Sequence, residues 1–240
     1  MRQIVMGDGS KVVLLKDGVK EGTEIANRVS SIVSELERRG LGVYITECYE
    51  DLEDVITVDK GIDCLLLSWP GEREEKKALN VIEKLHKSQN GVPVFLLTHK
   101  GDSLEKLSRQ IYENVEEIIW LLQEEIVFLG ERIQRAVDRY NDELLPPLAR
   151  AVFNYNKVAE YSWAAPGHQG GVGFTKTALG RRFFDFYDEN LFRTDTGIER
   201  TSIGSLLDHT GAFLEGEKNT ARIFGADRSY NAVSYTHLTL

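Results

Sequence analysis

The sequence predicts an α/β protein: a flavodoxin-like, receiver-like parallel sheet, then a helical linker, then a segment of different character. Three observations carry this reading. Five short runs between residues 12 and 122 are apolar throughout rather than alternating, as in strands buried on both faces. Amphipathic stretches with helical spacing separate those runs, the pattern of repeated βαβ units. From Tyr161 to Tyr230 the chain becomes dense in Gly, His, Asp, Glu, Arg, Ser and Thr with aromatics between them, more than packing alone requires.

In chain order, VVLL (12–15) reads as the first strand. Residues 21–39 place Ile25, Val29, Ile32, Val33 and Leu36 at helical spacing, and Gly40 stands where a glycine commonly ends a helix. GVYIT (42–46) is the second strand, 50–57 a short helix and IDCLLL (62–67) the third strand. A charged helix over 72–88 carries Leu79, Ile82 and Leu85 on one face; VPVFLL (92–97) and EEIIWLL (116–122) complete the set.

Ligands of such sheets gather at the C-terminal strand ends, and two chemistries can be tested there. A phosphoacceptor receiver needs an Asp at the end of the third strand and clustered carboxylates for Mg²⁺. That position holds Ser68 or Trp69, the acidic pair after the first strand is reduced to Asp17, and Thr98 has no lysine to match it on the fifth strand. KDGVKEG, after the first strand, lacks GxGxxG spacing. Residues 1–125 therefore read as an assembly or regulatory domain.

The linker spans 126–160. Ile126, Leu129, Ile133, Val137, Tyr140 and Leu144 form one apolar stripe, with Glu124 and Glu125 favouring the start of the helix. Pro146 and Pro147 stop it, and LARAVFNYNKVAEY starts another. The stripe requires a covering partner, either within the chain or on another subunit.

PGHQGGVGFTK (166–176) is glycine-rich, but Lys176 follows a threonine and the GxxxxGK[ST] spacing of a P-loop is absent. Its glycines fit tight turns and close backbone approach. His168, in a Pro-Gly-His turn, is either a structural hydrogen-bonding residue or a chemical one. Arg193, Asp195, Glu199 and Arg200 could form an ion-pair network. Asp208 and His209 are adjacent and no serine stands in GxSxG context, so a hydrolase triad is unsupported. GEKNTARIF (216–224) reads as a helix ended by Gly225, and DRSYNAV as the start of a strand.

The bulk properties narrow the function classes. A net charge of −9 repels phosphate backbones and argues against nucleic-acid binding. Cys48 and Cys64 have neither CxxC nor zinc spacing and read as reduced structural thiols; with no secretory leader and no long apolar run, the expected location is cytoplasmic.

The runs SWAAPGHQGGVGFTKT, FYDENLFRTDTGIERTSIGSLLDHTGAF and ARIFGADRSY resemble, in that order, the Orn/Lys/Arg decarboxylases. These are pyridoxal-phosphate-dependent enzymes of fold type I, and the likeness is to their acid-inducible arginine branch. LLPPL (144–148), IDCLLLSW and VPVFLLTH also resemble family patterns, whereas Asp188 in FYDEN stands where the family's glycine is expected. The resemblance implies a flavodoxin-like wing domain over 1–125, the helical linker over 126–160, and over 161–240 an incomplete start of the cofactor-binding core, with 231–240 departing from the family's continuation.

In such enzymes a lysine holds the cofactor as a Schiff base, the ring acts as an electron sink while CO₂ leaves, and each turnover consumes a proton. The product is agmatine when arginine is the substrate. The family's phosphate-binding loop, ring-stacking His, pyridine-facing Asp and cofactor lysine all follow ADRSY. The resemblance thus implies a stretch that is inactive alone, with no catalytic, cofactor-binding or metal-binding residue of its own. His168, Asp195 and Glu199 are candidates for the pocket rim. Thr98-His99-Lys100 imitates the cofactor-lysine tripeptide but lies in the wrong domain. The family also implies homo-oligomers: dimers through linker and core, and larger rings at low pH through the wing domains. Lysine or ornithine as substrate, or a non-catalytic assembly module, are the alternatives.

Overall fold

The computed structural model describes residues 9–69, 74–98, 107–157, 167–195 and 203–231. The chain divides into two compact units, Met1–Asp142 and Glu143–Leu240.

The first unit is an all-parallel five-stranded sheet in the order β2-β1-β3-β4-β5. Its strands are β1 (Lys11–Leu15), β2 (Gly42–Thr46), β3 (Cys64–Ser68), β4 (Val94–Thr98) and β5 (Glu117–Trp120). Between them run α1 (Glu24–Arg38), α2 (Tyr49–Val58), α3 (Glu75–Ser88) and α4 (Arg109–Asn114), and α5 (Ile126–Leu144) follows β5. This is the α/β, flavodoxin-like architecture expected from the sequence. Successive strand residues point to opposite faces, so the continuous apolar runs of β1, β3 and β4 feed two cores, whereas β2, at the sheet edge, leaves Tyr44 and Ile45 exposed. Val13, Leu15, Leu65, Leu67 and Leu96 pack with Leu52 and Ile56 of α2 and Val81, Ile82 and Leu85 of α3. Val12, Leu14, Leu66, Phe95 and Ile119 pack with Val29, Ile32 and Leu36 of α1 and Leu129, Ile133 and Val137 of α5.

The apolar stripe of α5 is therefore covered by the chain's own first unit from Leu129 to Tyr140, Leu144 remaining exposed, and the boundary between units falls inside the 126–160 stretch. Polar contacts reinforce the packing. Arg28 Nε donates to Leu121 O at 2.7 Å, and Arg39 Nη2 donates to Val127 O at 3.1 Å. Arg39 is held from the other side by Glu35, whose carboxylate also accepts from Arg38. The Arg38 and Arg39 guanidiniums hold the Glu35 carboxyl down to about 2.

Helix α1 starts at Thr23, whose Oγ1 accepts from the Ala26 amide at 3.2 Å. It ends as its sequence requires: Gly40 takes φ 87°, its amide donates to Glu37 O, and the Leu41 amide donates to Leu36 O. Both cysteines are free, Cys64 buried and Cys48 half-buried. Burial pushes the Cys64 thiol up. No helix among the described residues is long and apolar enough to cross a membrane.

The second unit contains α6 (Pro147–Lys157), a 3₁₀ turn (Phe174–Lys176), α7 (Ala178–Thr194) and α8 (Gly211–Phe224). Pro147 opens α6 at the first helical position, where its missing amide costs nothing. No helix is read over 178–194 in the sequence, although Leu179, Phe183, Tyr187 and Leu191 stand four residues apart; α7 breaks at Asp188 (φ 65°, ψ 158°). Residues 226–231 do not form the strand read in DRSYNAV, since no strand stands beside them among the described residues to supply a ladder. Burial is sparse. Phe192, Ile203 and Phe213 are buried, while Leu179, Phe186, Leu207 and Phe224 are at least 79% exposed.

Candidate functional site

The PGH turn is built by backbone geometry that few residues adopt. Gln169, Gly170 and Gly171 all have positive φ, and the Gly173 amide closes the turn on His168 O at 3.1 Å. A Cβ on Gly171 would stand 2.5 Å from Phe184 and 2.9 Å from Phe192, so the glycine lets an aromatic cluster close over the turn. Thr177 caps α7 by accepting from the Gly180 amide at 3.0 Å. This brings Phe183, Phe184 and Phe192 towards Phe174 and His168. Phe192 meets the His168 ring edge-on at 5.8 Å, and Phe174 stacks on it at 6.2 Å.

His168 and Asp195, separated by 27 residues, are brought together: Nε2 lies 3.0 Å from the Asp195 carboxylate. That contact fixes the orientation of the ring. The other ring nitrogen, Nδ1, is buried and has no hydrogen-bond partner among the described residues, so it is free to meet a further group. Glu199, the third rim candidate, and Arg200 lie outside the described residues. Arg193 pairs with Glu189 at 3.5 Å and Asp195 with His168.

A second polar cluster has no counterpart in the sequence reading. His209, at φ 51°, places Nδ1 2.9 and 3.0 Å from the two oxygens of Glu217. Glu217 is 5% exposed and also accepts the Asn231 amide at 3.0 Å. Ser229 Oγ donates to the Glu217 carbonyl at 2.6 Å, and Tyr230 meets the His209 ring at 5.5 Å. The cluster ties the 203–210 loop and residues 229–231 to α8. In the same loop Ser205 Oγ accepts the Asp208 amide at 3.2 Å.

Among the described residues no group of three or more His, Cys, Asp or Glu could hold a metal ion. In the second unit Lys176 and Lys218 are exposed, Lys176 on the 3₁₀ turn and Lys218 on α8. Neither stands in the enclosed setting that a Schiff-base lysine needs. His99 and Lys100 of the decoy tripeptide lie outside the described residues.

Comparison with known proteins decides the kinship. The Orn/Lys/Arg decarboxylase N-terminal domain matches residues 25–140, and the Orn/Lys/Arg decarboxylase major domain matches residues 146–239. The chain belongs to the Orn/Lys/Arg decarboxylase family. Biodegradative arginine decarboxylase of Escherichia coli (strain K12) is 45% identical over 93% of this chain. Lysine decarboxylase LdcA of Pseudomonas aeruginosa is 30% identical over 94% of it. The chain spans 30% and 31% of those two proteins. The solved structure of lysine decarboxylase A from Pseudomonas aeruginosa superposes with a TM-score of 0.77, covering 92% of this chain and 30% of the other, at 30% identity. The matched relatives are named as amino acid decarboxylases.

Proposed function

We propose that the chain forms the wing, the helical connection and the opening part of the catalytic core of a pyridoxal-phosphate-dependent basic amino acid decarboxylase. In this reading residues 1–125 are the wing, 126–160 the connection and 161–240 the start of the core. The substrate is arginine and the products agmatine and CO₂. The observation that carries the substrate is the 45% identity to an arginine decarboxylase across nearly the whole chain, against 30% for a lysine decarboxylase. The 240 residues alone are inactive, because Lys176 and Lys218 are exposed and lack an enclosing pocket. His168 and Asp195 stand at the pocket rim, where Nδ1 of the histidine can meet a substrate or neighbouring backbone group. Glu199 is carried as a third rim residue on resemblance alone.

The assembled enzyme is a cytoplasmic homo-oligomer. The exposed apolar side chains of α7 and α8 support subunit or core contacts there, since isolated units seldom leave so much apolar surface in water. The test is CO₂ release from arginine, lysine and ornithine by the full product of the encoding locus, with sedimentation on the same sample. Preference for arginine in a multi-subunit species is expected. Preference for lysine or ornithine overturns the substrate assignment, and an active monomer overturns the assembly.

A further inference from the structure

A cavity of about 200 Å³ opens at the C-terminal ends of the first unit's strands. It lies where the loop after β1 and the end of β3 meet, the crossover point at which the strand order 2-1-3-4-5 changes direction. Open α/β sheets bind their ligands at such points. A share of about 30 Å³ per water gives it room for about six waters, or for one small metabolite.

Its lining has three kinds of wall. Ser68 and Trp69 form the floor at 4% and 2% exposure, and Ser68 Oγ and Trp69 Nε1 are buried with no hydrogen-bond partner among the described residues. The indole N–H can only donate and the hydroxyl can donate, so both call for an acceptor. Lys20 and the N-cap Thr23 of the 15-residue α1 line the adjoining side, adding a cation and the positive end of a helix. Ile25, Leu97 and Leu121 supply an apolar wall, and Asp17 contributes a carboxylate.

We propose that this cavity binds a free apolar α-amino acid as its zwitterion. The carboxylate meets Trp69 Nε1, Ser68 Oγ and Lys20, the ammonium meets Asp17, and the side chain lies on Ile25, Leu97 and Leu121. An inorganic anion would take up Lys20 and the donors but leave Asp17 facing a like charge and the apolar wall of Ile25, Leu97 and Leu121 uncovered. An amine alone would leave the two buried donors unmet. Leaving a buried polar group unpaired is costly, which sets the selectivity. The site is separate from the decarboxylase reading and stands or falls without it.

The experiment uses the whole 240-residue chain labelled at its three tryptophans, Trp69, Trp120 and Trp163, with Trp69→Phe to assign the indole N–H signal. L-leucine is expected to shift the Trp69 signal saturably. Isocaproate, which keeps the body and carboxylate but lacks the ammonium, should bind roughly tenfold more weakly, as expected for one charge-assisted hydrogen bond. Asp17→Asn should remove leucine's advantage and leave isocaproate unweakened, while Lys20→Gln weakens both. No saturable shift with leucine overturns the proposal, as does a shift produced by inorganic phosphate alone. Equal binding of leucine and isocaproate to the unaltered chain overturns the zwitterion assignment.

Discussion

Asp188 shows how a single position registers the family's backbone. Its φ of 65° and ψ of 158° lie in a region that glycine occupies almost alone, and the chain pays for a side chain there. The side chain offsets part of the strain: Oδ1 accepts the Glu189 amide at 2.6 Å. The resemblance called for glycine at this position on sequence grounds, and the dihedrals supply the physical reason. Asp188→Gly is expected to stabilise the second unit by about 1 kcal/mol, raising its melting temperature by a few degrees in calorimetry. A lowered melting temperature would mean that the side-chain contact outweighs the strain. His168 was legible in the sequence as a turn histidine, but its partner Asp195 was not, since a separation of 27 residues follows no helical or strand period. Glu217 was less visible still: a glutamate inside a helix reads as solvated, and only the strained loop carrying His209 turns it into a buried acceptor.

At the scale of elements, the contact between α1 and α5 is the most informative. A Cβ on Gly130 would stand 2.6 Å from Glu35 Cγ and 3.0 Å from Arg39 Nε, so the absence of a side chain sets how closely α5 approaches. Within a helix, Gly→Ala ordinarily gains roughly 0.5–1 kcal/mol. Here overpacking is expected to reverse that sign and cost about 1–3 kcal/mol, read from urea unfolding. A stabilised Gly130→Ala would show that the helices are not in close contact.

The same contact carries a pH dependence. Glu35 is held from its ordinary 4.5 down to about 2, first by the hydrogen bond from Arg38 and then by that from Arg39. A depressed carboxyl contributes stability that is fully present above its unfolded pKa and is lost as pH falls towards the folded value. Denaturation midpoints should therefore drop between about pH 4.5 and pH 2. Glu35→Gln should be less stable at neutral pH and show a flatter acid limb; an unchanged acid limb would assign the fall to other carboxylates. Periodicity announced the apolar face of α5, but a stripe says only that a cover exists. The cover became visible only with Gly130 and the arginine contacts in place.

At the scale of the molecule, the two units differ in kind. Strands apolar on nearly every residue made the first unit's sheet legible, and β1, β3 and β4 are doubly covered as such runs require, while the run of β2 proves to be an exposed edge. The second unit was legible by resemblance rather than by pattern. Its α7 carries Leu179, Phe183, Tyr187 and Leu191 four residues apart, but it leaves Leu179 and Leu191 in water and breaks at Asp188, so the period is not matched by burial. Few of its side chains are buried, and limited proteolysis of the whole chain should leave a resistant core ending near Asp142 while the second unit is cut. A resistant product extending through Tyr230 would contradict this.

The central claim is that these 240 residues carry the wing and rim of a decarboxylase without its cofactor centre. The most direct measurement is incubation of the chain with pyridoxal phosphate and arginine, followed by borohydride reduction, mass analysis and counting of released CO₂. The expected result is no stoichiometric lysine adduct and no CO₂ above the protein-free control. A single stoichiometric adduct, at Lys100, Lys176 or Lys218, together with CO₂ release, would contradict the account.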